Sequence, residues 1–206
     1  MKDLQGYLKD SEVIAFFGAI KNARDYLLFR LLYKTGRRVS EILCLKVNDI
    51  EWEEGLVCWH ILKKKDKEYT AVKLIDKKTL NILEGYINTN RLGKDDYLFQ
   101  AERRKIWNNK RQPSKIINPH LSRYTVYYLT KKYCKKIGIE KVGNKLPHPH
   151  IFRHTFAVRM AKRMKFVGDI RKLQKMLEHT DMGITETYLQ FNQEDMRELI
   201  EAEDII

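Results

Sequence analysis

The sequence predicts a mainly α-helical domain with a small antiparallel β-sheet, an α+β fold. Apolar residues recur at helical spacing along most of the 206 residues, which is typical of amphipathic helices. Between residues 50 and 75 this spacing gives way to two runs of strand-forming residues on either side of a lysine-rich turn. A chain of this length buries one ordinary core. We therefore expect one domain over residues 1–206.

The first predicted helix begins at Ser11, whose hydroxyl can cap it, and ends at Gly36. Its apolar positions are Val13, Phe16, Phe17, Ile20, Tyr26, Leu27, Phe29 and Leu31 to Tyr33. A shorter helix begins near Val39 and runs through Leu45. The loop from Lys34 to Arg38 is therefore expected to be held rigidly between two buried elements.

A hairpin follows, with strands from Leu56 to Leu62 and from Tyr69 to Leu74 and a basic tip from Lys63 to Lys67. Helical spacing returns from Lys77 to Tyr86, and the residues from Asn88 to Asp96 are typical of turns. Further helices are predicted at His150 to Met164, Gly168 to Leu177, Ile184 to Phe191 and Glu194 to Ala202.

The charge balance points to a polyanionic partner. The chain has 40 Lys and Arg against 27 Asp and Glu, a formal net charge of +13, and such an excess creates a positive field that suits nucleic acid. The same excess of positive charge would also suit a protein that is merely soluble, or one that docks on an anionic membrane. The three cysteines form no C-x-x-C pair, and no apolar run is long enough for a signal sequence or a membrane span. We expect an intracellular, cytoplasmic protein that does not bind membranes.

The positive charge is concentrated in residues 103–136, which contain no Asp or Glu. The first half of this segment predicts a loop, and the second half predicts a helix capped by Ser122 and ending at Gly138. Basic and tyrosine side chains together suit a phosphate backbone with bases beside it, although a solvated face around an aromatic core stripe is the alternative. The predicted DNA contacts are Lys63, Lys64, Lys67, Arg103, Arg104, Lys110, Arg111, Lys115, Arg123, Tyr124 and Tyr127.

Four short motifs occur in order along the chain. They are Thr35 to Glu41, His150 to Ala157, Leu177 to Thr180, and Tyr188 nine residues after His179. Together they resemble the tyrosine recombinase family, of the phage-integrase and Xer type. Its pattern has an arginine in T-G-x-R-x-S-E, a hairpin lysine, a second arginine in H-x-x-R, a further histidine and then the tyrosine. The resemblance runs from about residue 8 to 191 and implies the catalytic-domain fold of that family.

Two arginines and a tyrosine would carry the chemistry that this resemblance implies. Attack on a phosphodiester builds negative charge on the non-bridging oxygens, and guanidinium groups neutralise it with paired donors. Arg38 and Arg153 match those positions, with Arg37 as the neighbour that could be confused with Arg38. A phenol has an ordinary pKa of about 10 and needs nearby positive charge to attack at neutral pH. Tyr188 matches the nucleophile.

The remaining site residues are also implied by the resemblance. A hairpin lysine would protonate the leaving 5′ oxygen; alignment without gaps selects Lys65, and a slip of one residue selects Lys64. His150 and His179 would complete the pocket. Glu41 would orient a neighbouring Arg or His, with an ordinary surface carboxylate as the alternative.

A zinc site is a competing interpretation of the histidines. His150 and His154 lie at i and i+4, with His148 close by. The glutamate of an H-E-x-x-H motif is absent, and Arg153 would place positive charge beside the metal. We therefore expect no metal and no other cofactor.

The expected function is a site-specific DNA recombinase or integrase that cleaves and rejoins strands through a 3′-phosphotyrosine, independently of metal and ATP. Its expected partner is double-stranded DNA, bound as a homotetramer on two sites, with a monomer or weak oligomer otherwise and a place on the nucleoid. The alternatives are relaxation like that of a type IB topoisomerase, and a weak or silent DNA-binding regulator. Glu178, where the family usually has glycine, favours the second.

The resemblance also predicts how the chain is organised. A catalytic core covers about residues 8–191, followed by a tail at 192–206 that docks either on its own domain or on a neighbouring subunit. Most relatives carry an N-terminal domain that clamps the other face of DNA, and we expect that domain to be absent.

Overall fold

The computed structural model describes residues 6–61, 69–101 and 120–162. In these ranges the helices are α1 Asp10–Gly18, α2 Ala23–Thr35, α3 Val39–Leu43, α4 Lys77–Asn90, α5 Arg123–Lys136 and α6 His150–Lys162. The strands are β1 Ile50–Glu51, β2 Leu56–Ile61 and β3 Tyr69–Leu74. The predicted mainly helical fold with a small antiparallel sheet is confirmed.

The predicted single helix from Ser11 to Gly36 is wrong, because the chain forms two helices there. The side chain of Asn22 accepts a hydrogen bond from the backbone N–H of Asp25 at 3.1 Å and so caps a new helix, α2. An asparagine that bonds the backbone in this way competes with a continuing helix. Ser11 is also not the cap of α1: it lies in the first turn, and Lys9 is the N-cap.

The sheet has the order β1-β2-β3 and is antiparallel throughout. Val57 and Trp59 of β2 are fully buried, whereas His60 is exposed, so β2 presents one face to the core. In the pairing register, Trp59 lies opposite Ala71 and Val57 opposite Lys73. The predicted hairpin is confirmed, and its tip at 62–68 lies outside the described residues.

Helix α4 begins as predicted but runs past the predicted end at Tyr86. Asp76 caps it by accepting from the N–H of Thr79 at 3.1 Å. The helix ends where Arg91 takes the left-handed conformation, with φ of 53°. Residues 88–90 are therefore helical, and the turn-rich composition there misled the prediction.

The predicted Ser122 cap of α5 is confirmed, since its hydroxyl accepts from the N–H of Thr125 at 3.1 Å. The buried side of the helix carries Val126, Leu129 and Tyr133. Gly138, with φ of 78°, follows the helix in the conformation that favours glycine.

Aromatic rings join the helices into one core. The ring of Phe16 on α1 lies 5.0 Å from Phe29 on α2, 5.0 Å from Phe152 on α6 and 5.9 Å from Tyr133 on α5, measured between centroids. Edge-to-face contacts of this kind add to the hydrophobic gain of burial. Helix α6 is thereby fixed against α2, the helix that leads into the first motif.

No helix in the described part of the chain is long and apolar enough to cross a membrane. The predicted helices at 168–177, 184–191 and 194–202 and the predicted loop at 103–119 lie outside the described residues.

Candidate active site

The first motif forms a tight reversal between α2 and α3. Gly36 takes φ of 62° and its N–H donates to the carbonyl of Leu32 at 3.1 Å, which ends α2. A side chain is strained at such a φ, so glycine suits this position. The reversal places Arg38 directly at the start of α3.

Arg38 is held by a carboxylate three residues ahead. Its backbone N–H donates to Glu41 Oε2 at 3.1 Å, and its Nη1 donates to Glu41 Oε1 at 2.9 Å. The Glu41 side chain is only 2% exposed, whereas that of Arg38 is 24% exposed. Glu41 therefore fixes the guanidinium while leaving part of it open to a ligand, and the surface-carboxylate alternative is wrong.

The second arginine meets the same reversal from a distant part of the chain. Arg153 lies on α6, is buried, and its Nη1 donates to the carbonyl of Gly36 at 2.8 Å. This bond joins residues 117 positions apart. It brings the H-x-x-R arginine beside the backbone that carries Arg38.

His150 opens α6 in an exposed position, one turn before its buried neighbour Arg153. Partial desolvation lowers the pKa of His150, and the positive charges of His148, Arg153 and Arg38 lower it further. The rings of His148 and His150 lie 6.0 Å apart. The imidazole of His150 is therefore neutral at physiological pH and can donate one hydrogen bond while accepting another.

His154 lies one turn further along α6, on the same side of the helix as His150. Burial, followed by the charges of His150, His148 and Arg153, lowers the pKa of His154 to about 4. No group of three His, Cys, Asp or Glu side chains within the described ranges could hold a metal ion.

Arg37 and Arg38 are adjacent in sequence but differ in environment. Arg37 is 2% exposed, its Nη1 lies 3.7 Å from Glu41 Oε2, and its guanidinium lies 5.6 Å from the centre of the Trp59 ring. Arg37 therefore faces the protein interior. Of the two, Arg38 has the accessible guanidinium.

The outer face of α5 combines aromatic and basic side chains. Tyr124 is 82% exposed, Tyr128 59% and Tyr127 39%, and the exposed basic residues of the helix are Arg123, Lys131, Lys132, Lys135 and Lys136. The aromatic core stripe considered from the sequence fits Tyr133 and not these three tyrosines. Tyr128, which lies one turn after Tyr124 and shares this exposed face, was not among the predicted DNA contacts.

The remaining predicted site residues lie outside the described part of the chain. They are Lys63, Lys64, Lys65 and Lys67 of the hairpin tip, Arg103, Arg104, Lys110, Arg111 and Lys115 of the basic segment, and His179 and Tyr188. Of the six predicted catalytic residues, the structure brings together Arg38, His150 and Arg153.

The sequence matches the phage integrase family over residues 7–195. It is 34% identical over 205 residues to the tyrosine recombinase XerA of Pyrococcus horikoshii, which covers the whole of this chain and 64% of that protein.

Two solved structures share the fold. A XerA recombinase has a TM-score of 0.71 at 24% identity, over 97% of this chain and 64% of the other. A XerH site-specific recombinase bound to a palindromic difH substrate has a TM-score of 0.69 at 21% identity, over 94% and 52%. The chain thus spans between about half and two thirds of the length of these relatives.

Proposed function

Because this chain belongs to the phage integrase family, we propose that it is the catalytic part of a site-specific DNA recombinase that works through a 3′-phosphotyrosine. The observation that carries the proposal is the hydrogen bond from Arg153 to the Gly36 carbonyl. This bond joins Arg153 to the backbone two residues before Arg38, and the charges of both arginines act on His150. Two such guanidinium groups would stabilise the negative charge of a transition-state phosphate. The partly open Arg38 and the neutral His150 belong to the same site.

In the first step, the phenol oxygen of Tyr188 attacks the phosphorus and forms a P–O bond as the bond from phosphorus to the 5′ oxygen breaks. The phenol proton passes to a neutral imidazole, for which His150 and His179 are the candidates. Arg38 and Arg153 hold the non-bridging oxygens while their negative charge grows.

The leaving 5′ oxygen receives a proton from Lys65, or from Lys64 if the register is shifted by one residue. In the second step, the 5′-hydroxyl of another strand attacks the phosphotyrosine, its proton returns to the neutral lysine amine, and Tyr188 regains its own proton from the imidazole as the bond from phosphorus to the phenol oxygen breaks. One phosphodiester is broken and one is formed, so no ATP is consumed. The proposal assigns no step to a metal, because arginine and lysine supply the positive charge.

DNA binding follows from the surface beside this site. The exposed tyrosines and basic residues of α5 offer phenol hydroxyl groups and cationic charge to a phosphate backbone. We propose double-stranded DNA as the partner, with four subunits on two sites and, in the cell, a place on the nucleoid. Exchange of strands between two sites requires more than one active site, which is why an assembly is proposed.

The test is trapping of a covalent adduct. The protein is incubated in EDTA with a nicked suicide duplex carrying its recombination site, so that the cleaved end diffuses away. The proposal expects a protein–DNA adduct with wild type and none with Tyr188→Phe. The matched control is Tyr133→Phe, which removes a buried hydroxyl elsewhere and should still form the adduct.

Each result separates the proposal from one of its rivals. No adduct on the cognate site would contradict the proposal and favour a DNA-binding regulator. A protein that forms the adduct and relaxes supercoiled DNA, but never joins strands from two sites, would favour the topoisomerase-like activity. An adduct that persists in Tyr188→Phe would remove Tyr188 as the nucleophile.

A further inference from the structure

The T-G-x-R-x-S-E pattern leaves the position between Gly36 and Arg38 free, yet this chain has a second arginine there. Arg37 is among the least exposed charged residues of the described chain, at 2%. Burial of a guanidinium costs free energy unless a partner compensates it. Its Nη1 lies 3.7 Å from Glu41 Oε2, and its guanidinium lies 5.6 Å from the centre of the Trp59 ring. Arg37 therefore brings its positive charge to the buried carboxylate of Glu41.

Glu41 lies between two arginines. Its Oε1 accepts from Arg38 at 2.9 Å, and its Oε2 lies 3.7 Å from Arg37. If Arg38 were the sole partner of this carboxylate, their charges would cancel and little field would remain for a phosphate. With Arg37 present, the three side chains carry one net positive charge, and the accessible group among them is Arg38.

Trp59 connects the same arginine to the hairpin. Its ring is fully buried on β2, and α3 packs against that strand. Its indole Nε1 has no hydrogen-bond partner among the residues that the structure describes, so packing and the cationic contact hold the ring. The strand held in this way leads to the tip that carries Lys64 and Lys65.

We infer that Arg37 is a positioning residue that supplies the counter-charge for Glu41, so that Arg38 keeps a full positive charge for the DNA phosphate. This inference rests on the proposed function for the identity of the ligand. A purely structural role would depend on the shape of the Arg37 side chain, whereas the inferred role depends on the sum of the charges of Arg37, Arg38 and Glu41. A second change that removes the charge of Glu41 should therefore restore what loss of Arg37 takes away.

The experiment measures the salt dependence of binding to a short random-sequence duplex by fluorescence anisotropy. All variants are made in a Tyr188→Phe background, so that binding is recorded without cleavage. Each cation in contact with a phosphate contributes about 0.9 to the slope of log K against log salt. R37M should lower the slope by about one such contact, and R37M/E41Q should return it to the starting value.

A buried arginine outside the site serves as the matched control. Arg30 on α2 is 8% exposed and pairs with Asp76, and R30M should leave the slope unchanged. If R37M does not fold, R37M/E41Q is compared with E41Q, and the double variant should have the lower slope by about one contact. Circular dichroism establishes that each variant is folded.

An unchanged slope in R37M, or a reduced slope that E41Q fails to restore, would overturn the inference. If R37M does not fold, equal slopes for E41Q and R37M/E41Q would overturn it as well. If the proposed function fails, the protein that retains Tyr188 forms no covalent adduct with DNA. The salt slopes are measured in the Tyr188→Phe background and do not depend on that adduct. The two ideas can therefore fail separately.

Discussion

Two polar clusters lie at opposite ends of α2, and they pair their charges differently. At the beginning of the helix, Arg24 donates to the Asp25 carboxylate at 2.9 and 3.0 Å, and the hydroxyl of Tyr133 donates to the same carboxylate at 2.8 Å. At the end of the helix, the Glu41 carboxylate lies between Arg37 and Arg38, while Arg153 donates to a neutral carbonyl.

The first cluster is typical of a structural anchor. The hydroxyl of Tyr133 ties α5 to the Asp25 carboxylate of α2, whose negative charge Arg24 balances. Burial and the bond to Asp25 raise the pKa of Tyr133 well above its usual range. The second cluster gathers guanidinium groups at the accessible edge of the core. Positive charge placed there is costly for folding and favourable for binding an anion. Under the proposed function, the difference separates residues that stabilise the fold from residues that would bind a phosphate.

The largest expected effect is on the rate of DNA cleavage in Arg153→Met. Loss of a donor aimed at developing charge costs about 10²–10³-fold in rate, and this variant also loses the bond to Gly36. Arg30→Met is the control, since it removes a similarly buried arginine from α2 without touching the second cluster. Single-turnover adduct formation on the suicide duplex compares the two. Equal rates in the two variants would break the distinction between the clusters.

The next effect is on the free energy of unfolding in Asp25→Asn. The change removes the negative charge that Arg24 and Tyr133 contact, and we expect a loss of about 1–3 kcal/mol. Urea denaturation measures it. Adduct formation by the folded protein should stay near the wild-type rate. A variant with full stability and slow cleavage would show that the first cluster serves the chemistry after all.

Acid should lower the stability of the fold through His154, which follows Arg153 of the second cluster on α6. Its folded pKa of about 4 lies below the ordinary value of 6.5, so the unfolded chain binds the proton first. The stabilisation is fully present above about pH 6.5 and is lost as the pH falls through about 4, with a total of about 3 kcal/mol.

Denaturation curves between pH 4 and 7 test this in wild type and in His154→Asn. The variant should lose stability less steeply on acidification, with a remaining slope from His148 and His150, whose pKa values are also lowered. Parallel curves would show that His154 does not titrate in this range.

The smallest expected effect concerns the outer face of α5, whose exposed tyrosines belong to neither cluster. Tyr124→Ala and Tyr128→Ala should each weaken duplex binding by about 1 kcal/mol, the net value of one typical hydrogen bond, with stability unchanged within about 0.5 kcal/mol. Ile14→Ala, an exposed apolar residue on α1, is the control. Binding is measured by anisotropy, and unchanged affinity in both tyrosine variants would restrict DNA contact to other surfaces.

Local signals in the sequence were sufficient for much of the fold. The hairpin, the Ser122 cap and the glycine that ends α2 were predicted correctly, because periodicity and capping act over a few residues. The break between α1 and α2 was missed although Asn22 carries a cap signal, since apolar spacing alone continues across it. The composition near Asn88 predicted a turn, but helix α4 continues to Asn90.

The sequence by itself determined the motifs and their order, on which the proposed phosphate chemistry rests, because both are written along the chain. Only the tertiary structure decided which of two adjacent arginines is accessible, since that depends on Trp59 packing beneath Arg37. The same holds for the bond between Arg153 and Gly36. Residues 117 positions apart meet because α6 packs against α2, and packing across such a distance leaves no local pattern in the sequence.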